Sequence, residues 1–163
     1  MTGWTNLRTL GEARDHVRRE IRLEGTHCPC CGQFARIYRR SITSPMVRGL
    51  VTMLHAEPVQ PFHLPTVIGH LAGDHAKLRY WGLLTELEEV REDGGRAGWY
   101  RFTDLGRDFL LRGARVPRWA LVYDSRLLGL DGPPVTAADC LGRGFDLREL
   151  LGTLAGDVEV SAP

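Results

Sequence analysis

The stretch from Val90 to Gly113, VREDGGRAGWYRFTDLGRDFLLRG, constrains the fold more than any other part of the chain. Asp93-Gly94-Gly95 is a strong reversal signal, because these residues tolerate the left-handed backbone that a tight turn requires. It lies between LLTELEEV and GWYRF. The stretch therefore reads as a β-hairpin with a long polar tip. Thr103 follows directly and can cap a helix carrying Leu105, Phe109 and Leu110.

Upstream, Pro65 opens a short helix, PTVIGHLAG, which Gly73 breaks. Asp74 can cap the next helix, DHAKLRYWG, which Gly82 ends. Two short helices across a glycine turn make a helix-turn-helix. Before them, Ser44 as cap and Pro45 in the first turn start a helix whose apolar face is Val47, Leu50, Val51 and Leu54. EPVQPFHLP is a proline-broken connector between these parts.

The pattern Leu78-x-x-x-Gly82-Leu83-Leu84, then a charged hairpin, then WYRFTDLGRDFL, resembles the winged-helix core of bacterial regulators of the multiple-antibiotic-resistance type. In that family a recognition helix ends in L-x-x-x-G-L-[IVL]. A wing follows, and a strand then runs into Y-x-L-T-x-x-G-x-x-L, matched here by Tyr100, Phe102, Thr103, Gly106 and Phe109. The resemblance spans about residues 44–112 and implies a fold with a groove-reading helix. With Leu78 and Leu83 inward, His75, Lys77, Arg79 and Tyr80 are expected to face outward. Arg96 takes the place of a wing arginine, and Arg101, Arg36, Arg39 and Arg40 are placed to meet phosphates. Winged helices also serve as protein-binding modules, so a host-protein partner stands as the alternative to double-stranded DNA. The acids Glu86, Glu88, Glu89, Glu92 and Asp93 on the hairpin favour that alternative.

Residues 6–24 read as an N-terminal helix, with Leu7, Leu10, Val17 and Ile21 along one face and Gly25 as its stop. ARIYRRSIT suggests a short strand, and VPRWALVYDSRLLGLDG two strands around Asp124-Ser125-Arg126. VTAADCLG and FDLRELLG read as short helices capped by Thr136 and Asp146, with DVEVSAP as a frayed end. The expected class is therefore α+β: residues 1–43 as a helix and cysteine knuckle, 44–112 as a winged helix, and 113–163 as a hairpin and helices packed on the core. The knuckle CPxCGQ, the Tyr-x-Arg segment, AKLRYWGL and the tail VPRWALVYDSRLLGLDGPPV together resemble a loose group of small actinobacterial and actinophage proteins. That likeness implies origin and architecture rather than activity.

Three of the four cysteines stand in Cys28-Pro29-Cys30-Cys31-Gly32. Cys28 and Cys31 have the spacing of half a structural zinc site, and Gly32 admits the left-handed turn that aims backbone N–H groups at thiolates. The remaining ligands are not evident in the sequence, and two copies of the chain could supply four cysteines to one zinc. A turn of buried free thiols is the bland alternative. A catalytic cysteine would need a base, and His27 offers only adjacency. Phosphate-loop, H-E-x-x-H and G-x-S-x-G motifs do not occur, so the expectation is a non-enzyme.

Composition sets the frame. The chain has 163 residues, 43% hydrophobic and 25% charged, which suits one globular domain with appendages. Without a secretory leader, an apolar spanning run or a disulfide framework, it is expected in the cytoplasm, away from membranes. The formal net charge of +1 hides a gradient: Arg36, Arg39, Arg40 and Arg48 lie in a stretch with no acid. That basic end could lie on phosphate.

Overall fold

The computed structural model describes residues 9–56, 61–88 and 98–156. The tip residues Asp93, Gly94, Gly95 and Arg96, the acids Glu89 and Glu92, Leu7 and the tail DVEVSAP lie outside the described residues. The fold is α+β, with helices and antiparallel sheets. No helix among the described residues is long and apolar enough to cross a membrane. The chain divides into two compact units, residues 1–40 with 120–129, and residues 41–119 with 130–163.

In the first unit, α1 spans Leu10–Glu20 and begins in a capping box: Thr9 accepts from the N–H of Glu12, and the Glu12 carboxylate accepts from the N–H of Thr9. Ala13, Val17 and Ile21, four apart, are its buried stripe. The helix ends four residues short of the expected 24. The Arg22 guanidinium donates to the carbonyls of Arg19 and Ile21, while the Arg22 carbonyl accepts from Gly25 and Ile37. Those exchanges replace further helical bonds and turn the chain into the cysteine hairpin, where β1 (Thr26–His27) pairs with β2 (Phe34–Ala35).

The strand β3 (Tyr38–Ser41) is an edge of a three-stranded sheet in which β7 (Val116–Tyr123) is central and β8 (Arg126–Val135) is the other edge. The β7–β8 reversal is a two-residue turn with Asp124 and Ser125 both at positive φ, 49° and 58°. This is the backbone that a right-twisted hairpin needs, at the position the sequence marks.

In the second unit, α2 (Ser44–Ala56) buries Met46, Val47, Leu50, Val51, Met53 and Leu54. Its cap position lies one residue earlier than expected. The Thr43 carbonyl accepts from Val47, and Ser44 sits inside the helix with its hydroxyl buried and unbonded.

The short strand β4 (Phe62–His63) leads into α3 (Leu64–Ile68), with Pro65 in its first turn. A 3-10 turn (Gly69–Leu71) connects α3 to α4 (Ala72–His75). The segment expected as one helix, 74–82, is instead the end of α4 followed by a 3-10 helix, Ala76–Trp81. Gly73 lies within α4, and Asp74 pairs with Lys77 rather than capping. The tighter winding has a physical reason. Three residues per turn put Leu78 and Trp81 on one face, and both are buried. The Trp81 indole also donates to the Pro117 carbonyl at 2.8 Å.

Then β5 (Leu84–Glu86) and β4 flank β6 (Trp99–Phe102), both antiparallel to it, giving the order β4-β6-β5. Tyr100 and Phe102 point into the core, while Trp99 and Arg101 point out.

Thr103 joins this sheet to α5 (Asp104–Leu111). Its hydroxyl accepts from the Gly106 N–H at 2.9 Å and donates to the Gly82 carbonyl at 2.5 Å. A Cβ at Gly106 would overlap the carbonyl of Leu83, so glycine there is a condition of close helix–strand approach. The helix α6 (Ala137–Leu141) carries a Thr136–Asp139 capping box, and Asp146 caps α7 (Leu147–Gly156); both pack on α2.

Candidate functional site

The knuckle is built by backbone hydrogen bonds. Cys28 N–H donates to the Gln33 carbonyl and Gly32 N–H donates to the Cys28 carbonyl, each at 2.8 Å, while Gly32 takes φ 72°. The loop so closed aims N–H groups of Cys31 and Cys30 at the Cys28 sulfur, which lowers its pKa. Burial opposes the shift, and a weaker bond from the Cys31 thiol adds to it. Cys28 and Cys31 therefore share one turn. Cys28 is half-buried, and Cys30 and Cys31 are exposed. Cys140, in α6, is a different group. Burial first, then the Asp139 charge, push its thiol up to about 11, so it is a poor ligand and a poor nucleophile at neutral pH.

Cys28 and Cys31 line a hollow of about 320 Å³ within the first unit. Arg14 and Arg18 of α1, Arg36 and the ring of Tyr38 also line it, with Asp124 from the β7–β8 turn. Arg18 lies 3.8 Å from Asp124. Arg14 and Arg18 escaped notice in the sequence as site residues, although their four-residue spacing puts them on one helical face beside Val17.

Arg36 and Arg40 both stack on Tyr38, at 5.1 and 5.4 Å from its ring centroid, and Arg39 is exposed between them. Phe34 is half exposed and meets His27 edge to face. Cations interleaved with open aromatic faces thus gather on the knuckle and β3.

The helix pair of the second unit differs from expectation. His75, expected to face outward, is buried at 2% exposure: its Nε2 lies 3.1 Å from the Pro45 carbonyl, and its ring covers Gly49. A group in that place cannot touch a groove. Tyr80 is buried as well. Arg79 lies back on its own unit, donating to the Ala76 carbonyl at 2.8 Å, stacked on Tyr80 and 3.9 Å from Glu86. Lys77 pairs with Asp74. Arg101 is exposed on β6, and Arg96 is outside the described residues.

No protein-family model, curated protein or solved structure matches the chain. The reading of function therefore rests on the residues.

Proposed function

We propose that the chain is a non-catalytic, regulatory DNA-binding protein of winged-helix build, gripping double-stranded DNA mainly through its phosphates. The observation that carries the reading is order in the second unit: α2, β4, a helix pair, β5, β6 and α5, with the strands arranged β4-β6-β5. We read that order as the connectivity of a winged helix. The Thr103–Gly106 junction supports it further, because the hydroxyl and the missing side chain together lock α5 against the end of β5.

The phosphate-dominated part of the proposal comes from where the cations are. Arg36, Arg39 and Arg40 stand exposed beside Tyr38, and Arg101 stands exposed on β6. The segment Ala76–Trp81 offers Lys77 and a partly held Arg79, too little for extensive base readout.

A protein partner is the second reading, favoured by a specific observation. The edge strand β8 exposes Leu127, Leu128 and Leu130 in one short run that another chain could cover.

A salt titration of the full chain against a random-sequence duplex separates the two readings. DNA binding of this kind falls steeply as salt rises, because each phosphate contact releases counterions. A chain without duplex affinity at low salt would belong to the protein-binding class.

A further inference from the structure

The knuckle poses a problem of coordination number. Its two sulfurs are arranged as metal ligands are, with backbone N–H groups pointed at Cys28 and a glycine closing the turn. Zinc in a structural site takes four such ligands. All four cysteines and all six histidines lie among the described residues, yet no group of three His, Cys, Asp or Glu there is placed to hold a metal ion. One chain offers half a site.

We propose that Cys28 and Cys31 bind one Zn²⁺ together with the same two cysteines of a second copy of the chain. The proposal rests on the knuckle alone and does not depend on DNA binding. Three features favour a second copy as the source of the missing sulfurs.

The first is access. Cys31 and Gly32 are exposed at the tip of the turn, and nothing stands within 4 Å of the place a Cβ on Gly32 would occupy. The second is charge. Four thiols each release a proton to solvent on binding Zn²⁺, so the centre formed carries a net charge of −2. Arg14, Arg18 and Arg36 line the hollow beside the sulfurs, opposed there by Asp124. Two such faces repel each other alone and suit an anionic centre between them. The third is apolar cover, since Phe34, 51% exposed beside the turn, would be buried by an approaching copy.

Native mass spectrometry of the full chain loaded with zinc tests this. The expected species is a dimer with a single zinc, converting to metal-free monomer on chelation. C28S and C31S should be monomeric and zinc-free, while C30S and C140S keep the zinc-linked dimer. Because C28S could disturb the turn itself, a cobalt titration of the unaltered chain is the second arm. It should saturate at half an equivalent per chain, with the thiolate charge-transfer band of a four-sulfur tetrahedral centre. One metal per monomer, saturation at one equivalent, a dimer that survives chelation, or no metal uptake would each overturn the proposal.

Discussion

The burial of His75 over Gly49 makes a prediction whose sign can be reversed by design. A methyl group at Gly49 would run into the His75 imidazole, whose Nε2 is held at the Pro45 carbonyl. Inserting that methyl into a packed site costs about 1–3 kcal/mol. Gly49 lies inside α2, where alanine is favoured over glycine by about 1 kcal/mol. Gly49→Ala should therefore destabilise the chain by up to roughly 2 kcal/mol net.

In a His75→Ala background the obstruction is gone and only the helical preference remains. There, the same change should stabilise by up to about 1 kcal/mol. His75→Ala alone should cost about 1–3 kcal/mol, from the lost ring packing and hydrogen bond. Urea denaturation of the four chains measures the cycle, with unchanged slopes as the check that only stability moved. The coupling should be about 1–3 kcal/mol. Additive behaviour, or stabilisation by Gly49→Ala in the unaltered chain, would refute the packing described here.

Further expectations follow from other contacts. Gly106→Ala should lower stability by about 2 kcal/mol or more despite better helix propensity, because the obstructing atom is the backbone carbonyl of Leu83 and not a movable side-chain end; thermal unfolding reads this. Thr103→Ala should cost about 1–2 kcal/mol through loss of the α5 cap, with Thr103→Ser retaining most of it, by the same assay. Cys140 has its folded pKa raised, so the unfolded chain loses that proton first. Stability from this group is complete below about pH 9 and drains away toward pH 11, and Cys140→Ser should flatten that decline in a pH series of denaturation curves.

Local chemistry made much of the fold legible in advance. Thr103, Thr136 and Asp146 act as caps where their side chains and spacing suggest, and Asp124-Ser125 forms the hairpin turn. Each of these depends on a residue and its neighbours within a few positions. What escaped depends on tertiary partners. The pattern through DHAKLRYWG is compatible with an α-helix, and only the need to bury Leu78 and Trp81 together selects the 3-10 form. His75 reads as a surface polar residue until Gly49 supplies a slot for its ring.

The candidate site divides in the same way. Cys28, Cys31 and the arginines from 36 to 40 stand out in the sequence because they are close along the chain. Arg14, Arg18 and Asp124 join them only when α1 and the β7–β8 turn are folded in.

The central claim, that this chain grips duplex DNA through arginines on β3 and its approach, is tested most directly by comparing salt slopes. The affinity of the full chain for a random-sequence duplex should be measured across a salt series, unaltered and with Arg36, Arg39 and Arg40 all replaced by alanine. Each phosphate contact contributes about 0.9 to the slope of log K against log salt, so the triple change should flatten it by up to about 2.7. An identical slope for the two chains, or an unaltered chain that ignores DNA at low salt, would contradict the account.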